Sequence, residues 1–259
     1  MKKNVVVTTI ILSALLLTSC AKKEVNINCV ADLKGMIIGV QSGTTGDAYC
    51  SNNIPEAEVA GFKSGMDAAL DLKNGRIDAV VLDELPAEEI VARNPDLKVI
   101  HDPVFTENKE SYAIAVKKGN KELLDAINNT INAIKANGEY NKLTDAYMPA
   151  SGEIVPLERM ALTGSTTLKL GTNAEFPPFE YVAGKDVVGF DISMGDYIAQ
   201  TVGTKLEVVN MDFGALIAAV QSGAVDFVAA GMTINEERKQ NVDFSVPYFE
   251  SEQVIIVRK

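Results

Sequence analysis

Histidine is almost missing from this chain of 259 residues: His101 is the only one, and cysteine occurs three times. That scarcity leaves little from which to build a His/Cys metal centre. It also removes Ser/His/Asp chemistry unless His101 supplies the base, and His101 lies beside Asp102 on an expected loop with no evident partner. Its expected place is the surface, and neither catalytic residues, nor a cofactor, nor a metal is expected. Basic residues are short as well, 24 Lys and Arg against 35 Asp and Glu, for a net charge of −11. A surface of that sign repels phosphate backbones, so nucleic acid is excluded as a partner. Long apolar runs are absent beyond Leu17, and no later stretch is apolar enough to span a bilayer. Core material is plentiful: 47% of the residues are hydrophobic, which supports one or two domains.

The first residues read as a targeting signal. Lys2 and Lys3 precede Val5 to Leu17, an apolar run too short to span comfortably. It ends Leu17-Thr18-Ser19-Cys20, which resembles a bacterial lipobox, where cleavage precedes the cysteine and the cysteine is lipidated. The alternative is an ordinary signal peptide with an incidental cysteine. The lipobox reading expects 1–19 to be removed, a lipid such as palmitate on Cys20, and 20–27 as a tether to the membrane. Export permits disulfides. Cys29 and Cys50 either pair or remain buried thiols, and spacing alone leaves both open.

Beyond the tether, strands and helices alternate. Met36 to Val40 reads as a buried strand, Thr45 to Asn52 as a helix, and Met66, Ala69 and Leu70 as part of a helix stopped by Asn74-Gly75. Ile77 to Leu82 is a strand, Pro86 opens a helix at its first position, and Leu97 to Ile100 and Tyr112 to Val116 are strands. Leu123, Leu124, Ile127, Ile131 and Ile134 form the stripe of a long amphipathic helix ended by Asn137-Gly138, with a shorter helix through Tyr140, Leu143 and Tyr147. Residues 149–166 have no period and read as a connector. Alternation then resumes: strands at Leu168 to Leu170, Val187 to Asp191, Leu206 to Met211, Val225 to Ala230 and Glu252 to Arg258, with helices at Ile192 to Val202 and Phe213 to Gln221. This pattern predicts an α/β fold with parallel sheet covered on both faces. AALDLKNGRIDAVVLDE, from 68, and AAVQSGAVDFVAAGMT, from 218, share one plan: helix, polar-Gly stop, apolar strand, polar end. Two lobes of similar architecture would gather ligand at the C-terminal strand ends.

Several residues could carry recognition. Gly43-Thr44-Thr45 joins a strand to a helix N-terminus, where free N–H groups suit a carboxylate, although a threonine cap is the plain reading. Gly231-Met232-Thr233 is a second such turn, and Arg238 follows within about a helical turn, its planar fork suited to a carboxylate unless Glu236 or Glu237 pairs with it. Asp83 ends a strand, where it could receive an ammonium group or cap the next helix. In GTNAEFPPFEY, residues 171–181, two prolines stiffen a loop between Phe176 and Phe179. With Phe213, these groups complement a zwitterion on an apolar stem, and no nucleophile–base pair is among them.

GTNAEFPPFEY, VVGFDI, LIAAVQSGAVDFVAAGMTINEERKQNVDFSVPYFES, DLKGMIIGVQSGTTGDAY and NGRIDAVVLDE together resemble the family 3 extracellular solute-binding proteins, the polar amino-acid receptors of ABC importers. The likeness covers nearly the whole chain after the signal. It implies a two-lobe periplasmic-binding-protein-like fold of type II with the ligand cleft between lobes. Segment order departs from the family: the portion that comes second there comes first here, as if circularly permuted, with 149–166 bridging the family's usual end and start. The expected lobes are 28–111 and 118–251, with hinge crossings at 112–117 and 252–259, the second beside Tyr112 to Val116 and Lys259 ending near Asn26 to Leu33. The resemblance further implies Phe176 and Phe213 on the ligand stem, Arg238, Thr233, Thr44 and Thr45 at the carboxylate, Asp83 and the Gly231 carbonyl on the amine, and Asn173 facing the side chain. An amide at Asn173 favours a neutral ligand such as glutamine. The expected partners are that amino acid, an ABC permease and, through Cys20, a membrane of the bacterial periplasm or cell surface, with the protein acting as a monomer. The rivals are a dehydratase-type enzyme, for which Glu175 or Glu84 would be the pocket acid, and a ligand-sensing adaptor.

Overall fold

Two five-stranded sheets of one plan organise the chain in the computed structural model, which describes residues 26–151 and 153–259. The expected signal peptide, Cys20 and most of the tether lie outside the described residues. In lobe I the strands run in the order Glu58–Phe62, Ile37–Gln41, Ala79–Asp83, Gln253–Arg258, Leu97–Ile100. In lobe II the order is Lys205–Asn210, Thr167–Thr172, Phe227–Val228, Ala115–Lys117, Val242–Phe244. The first three strands of each sheet are parallel. The fourth is antiparallel to both neighbours. The expectation of purely parallel sheet is thereby corrected, because each fourth strand enters its sheet from the hinge.

Helices cover the sheets as the apolar patterns require. Thr44 and Ser64 cap the helices Thr45–Asn53 and Gly65–Lys73 by accepting from the N–H groups of Asp47 and Asp67. The stripe Leu123, Ile127, Ile131, Ile134 is buried in the helix Lys121–Asn137, which stops at Gly138 with φ of 87°. Some boundaries move. Pro86 is the third residue of the helix Glu84–Ala92, which begins on Asp83. The expected strand to Asp191 ends at Val188, and Asp191 belongs to the helix Phe190–Val202. The expected helix from Phe213 opens as a 3₁₀ turn, Phe213–Ala215, before Leu216–Ser222. The described part of the connector holds no helix or strand, yet it is pinned: Arg159 donates to both carboxylate oxygens of buried Asp196, at 2.7 and 2.8 Å.

The lobes are joined where Glu110–Tyr112 pairs antiparallel with Phe249–Ser251, Tyr112 opposite Phe249 and Glu110 opposite Ser251. The predicted pairing of Glu252 to Arg258 with Tyr112 to Val116 is therefore displaced. Antiparallel segments leave the hinge in opposite directions, so Ala115–Lys117 enters lobe II and Gln253–Arg258 enters lobe I. Val257 shares an apolar cluster with Ile27 and Leu33, and the Lys259 N–H donates to the Asp96 carbonyl at 2.9 Å. Cys29 and Cys50 are both free thiols, and burial pushes that of Cys50 up to about 12.

Candidate functional site

All nine residues predicted to contact ligand line one narrow site between the lobes. Lobe I contributes Thr44, Thr45 and Asp83 from the ends of two neighbouring strands. Lobe II contributes Asn173, Phe176, Phe213, Gly231, Thr233 and Arg238. Gln41 and Glu180 also line the cavity, and neither was expected from the sequence.

Asp83 does not cap its helix. It accepts from the Tyr112 hydroxyl at 2.5 Å and is buried. Burial first, and then the charge of Glu110, raise its carboxyl to about 7. Thr44 is spent as a helix cap, accepting from the Asp47 N–H at 3.2 Å and donating to the Gln41 carbonyl at 2.8 Å. Arg238 bridges the lobes. Its guanidinium donates to the Thr233 carbonyl at 2.7 Å and to the Gly43 carbonyl at 3.1 Å, and lies over the Phe213 ring at 5.3 Å. The sequence alternative, an ion pair with Glu236, belongs instead to Lys239, at 2.8 Å.

Asn173 is less free than expected. Its carbonyl accepts from Gln41 Nε2 at 2.8 Å, and its amide donates to the Met211 carbonyl at 3.0 Å. Phe176 stacks at 5.9 Å on Phe179, which is wholly buried. Gly231 has φ of 53°, and a Cβ there would stand 2.7 Å from the Phe176 ring, so glycine lets the turn approach that ring.

The cavity holds more acid than the sequence suggested. Glu180 is fully buried, and burial, then the charge of Asp191 and a hydrogen bond to it, push its pKa well above the usual carboxylate range. Asp191 itself accepts from the Gly231 N–H at 2.8 Å and the Tyr248 hydroxyl at 2.7 Å, and burial raises it to about 6. Glu110, on the hinge strand, accepts from the hydroxyls of Thr45 at 2.7 Å and Thr233 at 2.5 Å. The one available signal for Glu180 was its place at the end of the FPPFE segment. Glu110 gave none, since a Lys-Glu-Ser run reads as solvated.

The two acids proposed for the enzyme alternative do not line this cavity: Glu175 is exposed, and Glu84 lies with Glu88 and His101, their ligand atoms within 4.8 Å of one another. His101 is exposed, as expected, but not without partners: its Nδ1 lies 3.0 Å from Glu252 and 3.8 Å from Glu84.

A family model described as bacterial extracellular solute-binding proteins, family 3, matches residues 21–150 and 168–259. The arginine-binding extracellular protein ArtP of Bacillus subtilis (strain 168) is 42% identical over 97 residues, 38% of this chain and 38% of that protein. ABC transporter arginine-binding protein 1 of Escherichia coli (strain K12) is 40% identical over 133 residues, 50% of this chain and 54% of that protein. A solved structure of an ancestral arginine-binding protein bound to glutamine is 51% identical over 34% of this chain and 39% of its own, with a TM-score of 0.32. The chain thus spans from about two-fifths to just over half of the length of these relatives in each match.

Proposed function

Because the chain belongs to the bacterial extracellular solute-binding proteins of family 3, we propose that it captures a polar amino acid between its lobes and hands it to an ABC importer. The observation that carries this reading is the convergence on one site of the nine positions that the resemblance implied, with Asp83 from one lobe and Arg238 from the other. Arg238 suits an α-carboxylate and ionised Asp83 suits an α-ammonium, while Phe176 and Phe213 offer ring faces to a stem. A binding protein, not an enzyme, is the reading these groups favour.

For the side chain, a cation is preferred over glutamine. The amide of Asn173, the reason to expect a neutral ligand, is committed to Gln41 and Met211. Glu180 meanwhile brings a second buried carboxyl to the cavity, beside that of Asp191. A guanidinium could pair with it bidentately. The relatives named as arginine-binding agree with that preference. Calorimetry of the purified protein against arginine, lysine, histidine and glutamine is expected to rank arginine first. Glutamine binding tightest would restore the neutral ligand, and no heat with any of the four would reject amino-acid capture.

The same proposal places the protein outside the cytoplasm, anchored by lipid on Cys20, with the family's segment order permuted about 149–166. Support for the permutation lies in the packing of Val257 with Ile27 and Leu33 in one apolar cluster, which sets the last strand beside residues 27–33. Cys20→Ser is expected to move the protein from membrane to soluble fractions; a variant that stays with the membrane would exclude the anchor.

A further inference from the structure

Glu110 is the acid that no sequence pattern singled out, and its bonds span the whole cleft. It sits on the hinge strand Glu110–Tyr112. Its Oε2 accepts from Thr45 of lobe I at 2.7 Å and from Thr233 of lobe II at 2.5 Å. Its Oε1 accepts from Gln253 Nε2 at 3.3 Å, and Gln253 lies in the strand that enters lobe I from the hinge.

A threonine hydroxyl has one proton and two lone pairs. With both protons directed at Glu110, the hydroxyl oxygens of Thr45 and Thr233 can turn only lone pairs toward anything else. Such oxygens accept from an ammonium group and repel a carboxylate. The Thr45 oxygen already accepts weakly from Gln253 Nε2, at 3.4 Å. The Thr233 oxygen has no second side-chain partner among the described residues, and it lines the cavity with Asp83 and Gly231. Donors for a carboxylate must then come from elsewhere: the Arg238 guanidinium, and the backbone N–H groups of the two turns.

We propose that Glu110 is a positioning residue of the binding site: by taking both hydroxyl protons it fixes Thr45 and Thr233 as acceptors, so that the hydroxyls face the ligand's ammonium and the carboxylate is left to Arg238 and main-chain N–H groups. This inference rests on the amino-acid-binding reading and leaves Thr45 and Thr233 to the carboxylate through main-chain N–H groups alone. It makes Glu110 a determinant of selectivity for the α-amine without touching the ligand.

The test compares wild type, Glu110→Ala, Glu110→Gln and Thr233→Val by calorimetry. Each is titrated with whichever of arginine, lysine, histidine and glutamine binds wild type tightest, and with the analogue of that ligand in which hydrogen replaces the α-amine. Glu110→Ala is expected to weaken the amino acid by about tenfold or more and the amine-free analogue by less than about twofold. Thr233→Val should reproduce that selective loss, and the double variant should lose little more than either single one, since both changes remove one arrangement. Glu110→Gln should fall between, because its amide oxygen still accepts. Equal losses for both ligands would reduce Glu110 to a support of the fold, and tighter binding in Glu110→Ala would make it a rival of the ligand carboxylate; either result overturns the inference while leaving amino-acid capture intact. Failure of wild type to bind any of the four would remove the functional reading first, and this inference with it.

Discussion

Asp83 is 4% exposed, and its carboxyl is raised to about 7 by burial and by Glu110. The sign of the consequence is fixed by linkage. A carboxyl raised in the fold stabilises the protein fully below its unfolded value of 3.8, and that contribution is lost as pH rises through about 7. Capture of an ammonium works the other way, because it requires the ionised form. Amino-acid affinity is therefore expected to strengthen as pH climbs from about 5.5 to about 8. Calorimetry in buffers of different ionisation enthalpy should register a proton released on binding near the lower end. Asp83→Asn should lose most of the affinity and its pH dependence together. Flat wild-type affinity across that range would show that Asp83 is not the ammonium partner. At this scale the sequence was generous with residues that end strands or open helices, because their positions follow from local pattern. It was silent about Glu110, whose meaning comes from Thr233 far along the chain, and pointed to Glu180 only through its place at the end of the FPPFE segment.

Among elements, the strands rich in apolar residues were legible and the short ones were not. Leu97–Ile100 and Ile37–Gln41 lie within a residue of expectation, because buried strands of this kind are continuous apolar runs. Glu58–Phe62 escaped notice: it is an edge strand, Glu-Val-Ala-Gly-Phe, with exposed and half-buried positions throughout. Phe249–Ser251 escaped because three residues carry no period. Gln253–Arg258 was recognised as a strand but assigned to the hinge, whereas it lies inside the lobe I sheet between Ala79–Asp83 and Leu97–Ile100. That placement changes what its removal would do. Val254, Ile255 and Ile256 are fully buried, and deleting the strand parts its two neighbours. A chain truncated after Ser251 is expected to lose lobe I altogether, rather than merely close less firmly. Hydrogen exchange should show lobe I amides unprotected while those of Thr167–Thr172 and Lys205–Asn210 stay protected. Protection retained in Ile37–Gln41 would mean the last strand is an accessory.

For the molecule as a whole, the α/β alternation and the internal echo pointed correctly to two lobes of one plan, and the resemblance to the cleft between them. The return of the last strand to lobe I was beyond reach of periodicity, because a pattern of two marks a strand without naming its sheet. That return has a consequence in time. Lobe I is drawn almost entirely from residues before 101, yet its fourth strand follows all of lobe II. Ile255 must find Val81 and Ile100 across that whole intervening length. Contacts so distant in sequence form slowly, since the loop must close before they reward it. Lobe II has no such wait, because its five strands, from Ala115–Lys117 to Val242–Phe244, come from one continuous stretch of chain. The lobe that emerges first during synthesis is thus the one that matures last, and until residues 253–258 dock it presents Val81 and Ile100 at an open sheet edge. That delay is built into the topology, and the final strand serves as the fastener that ends the period of greatest exposure to aggregation and proteolysis.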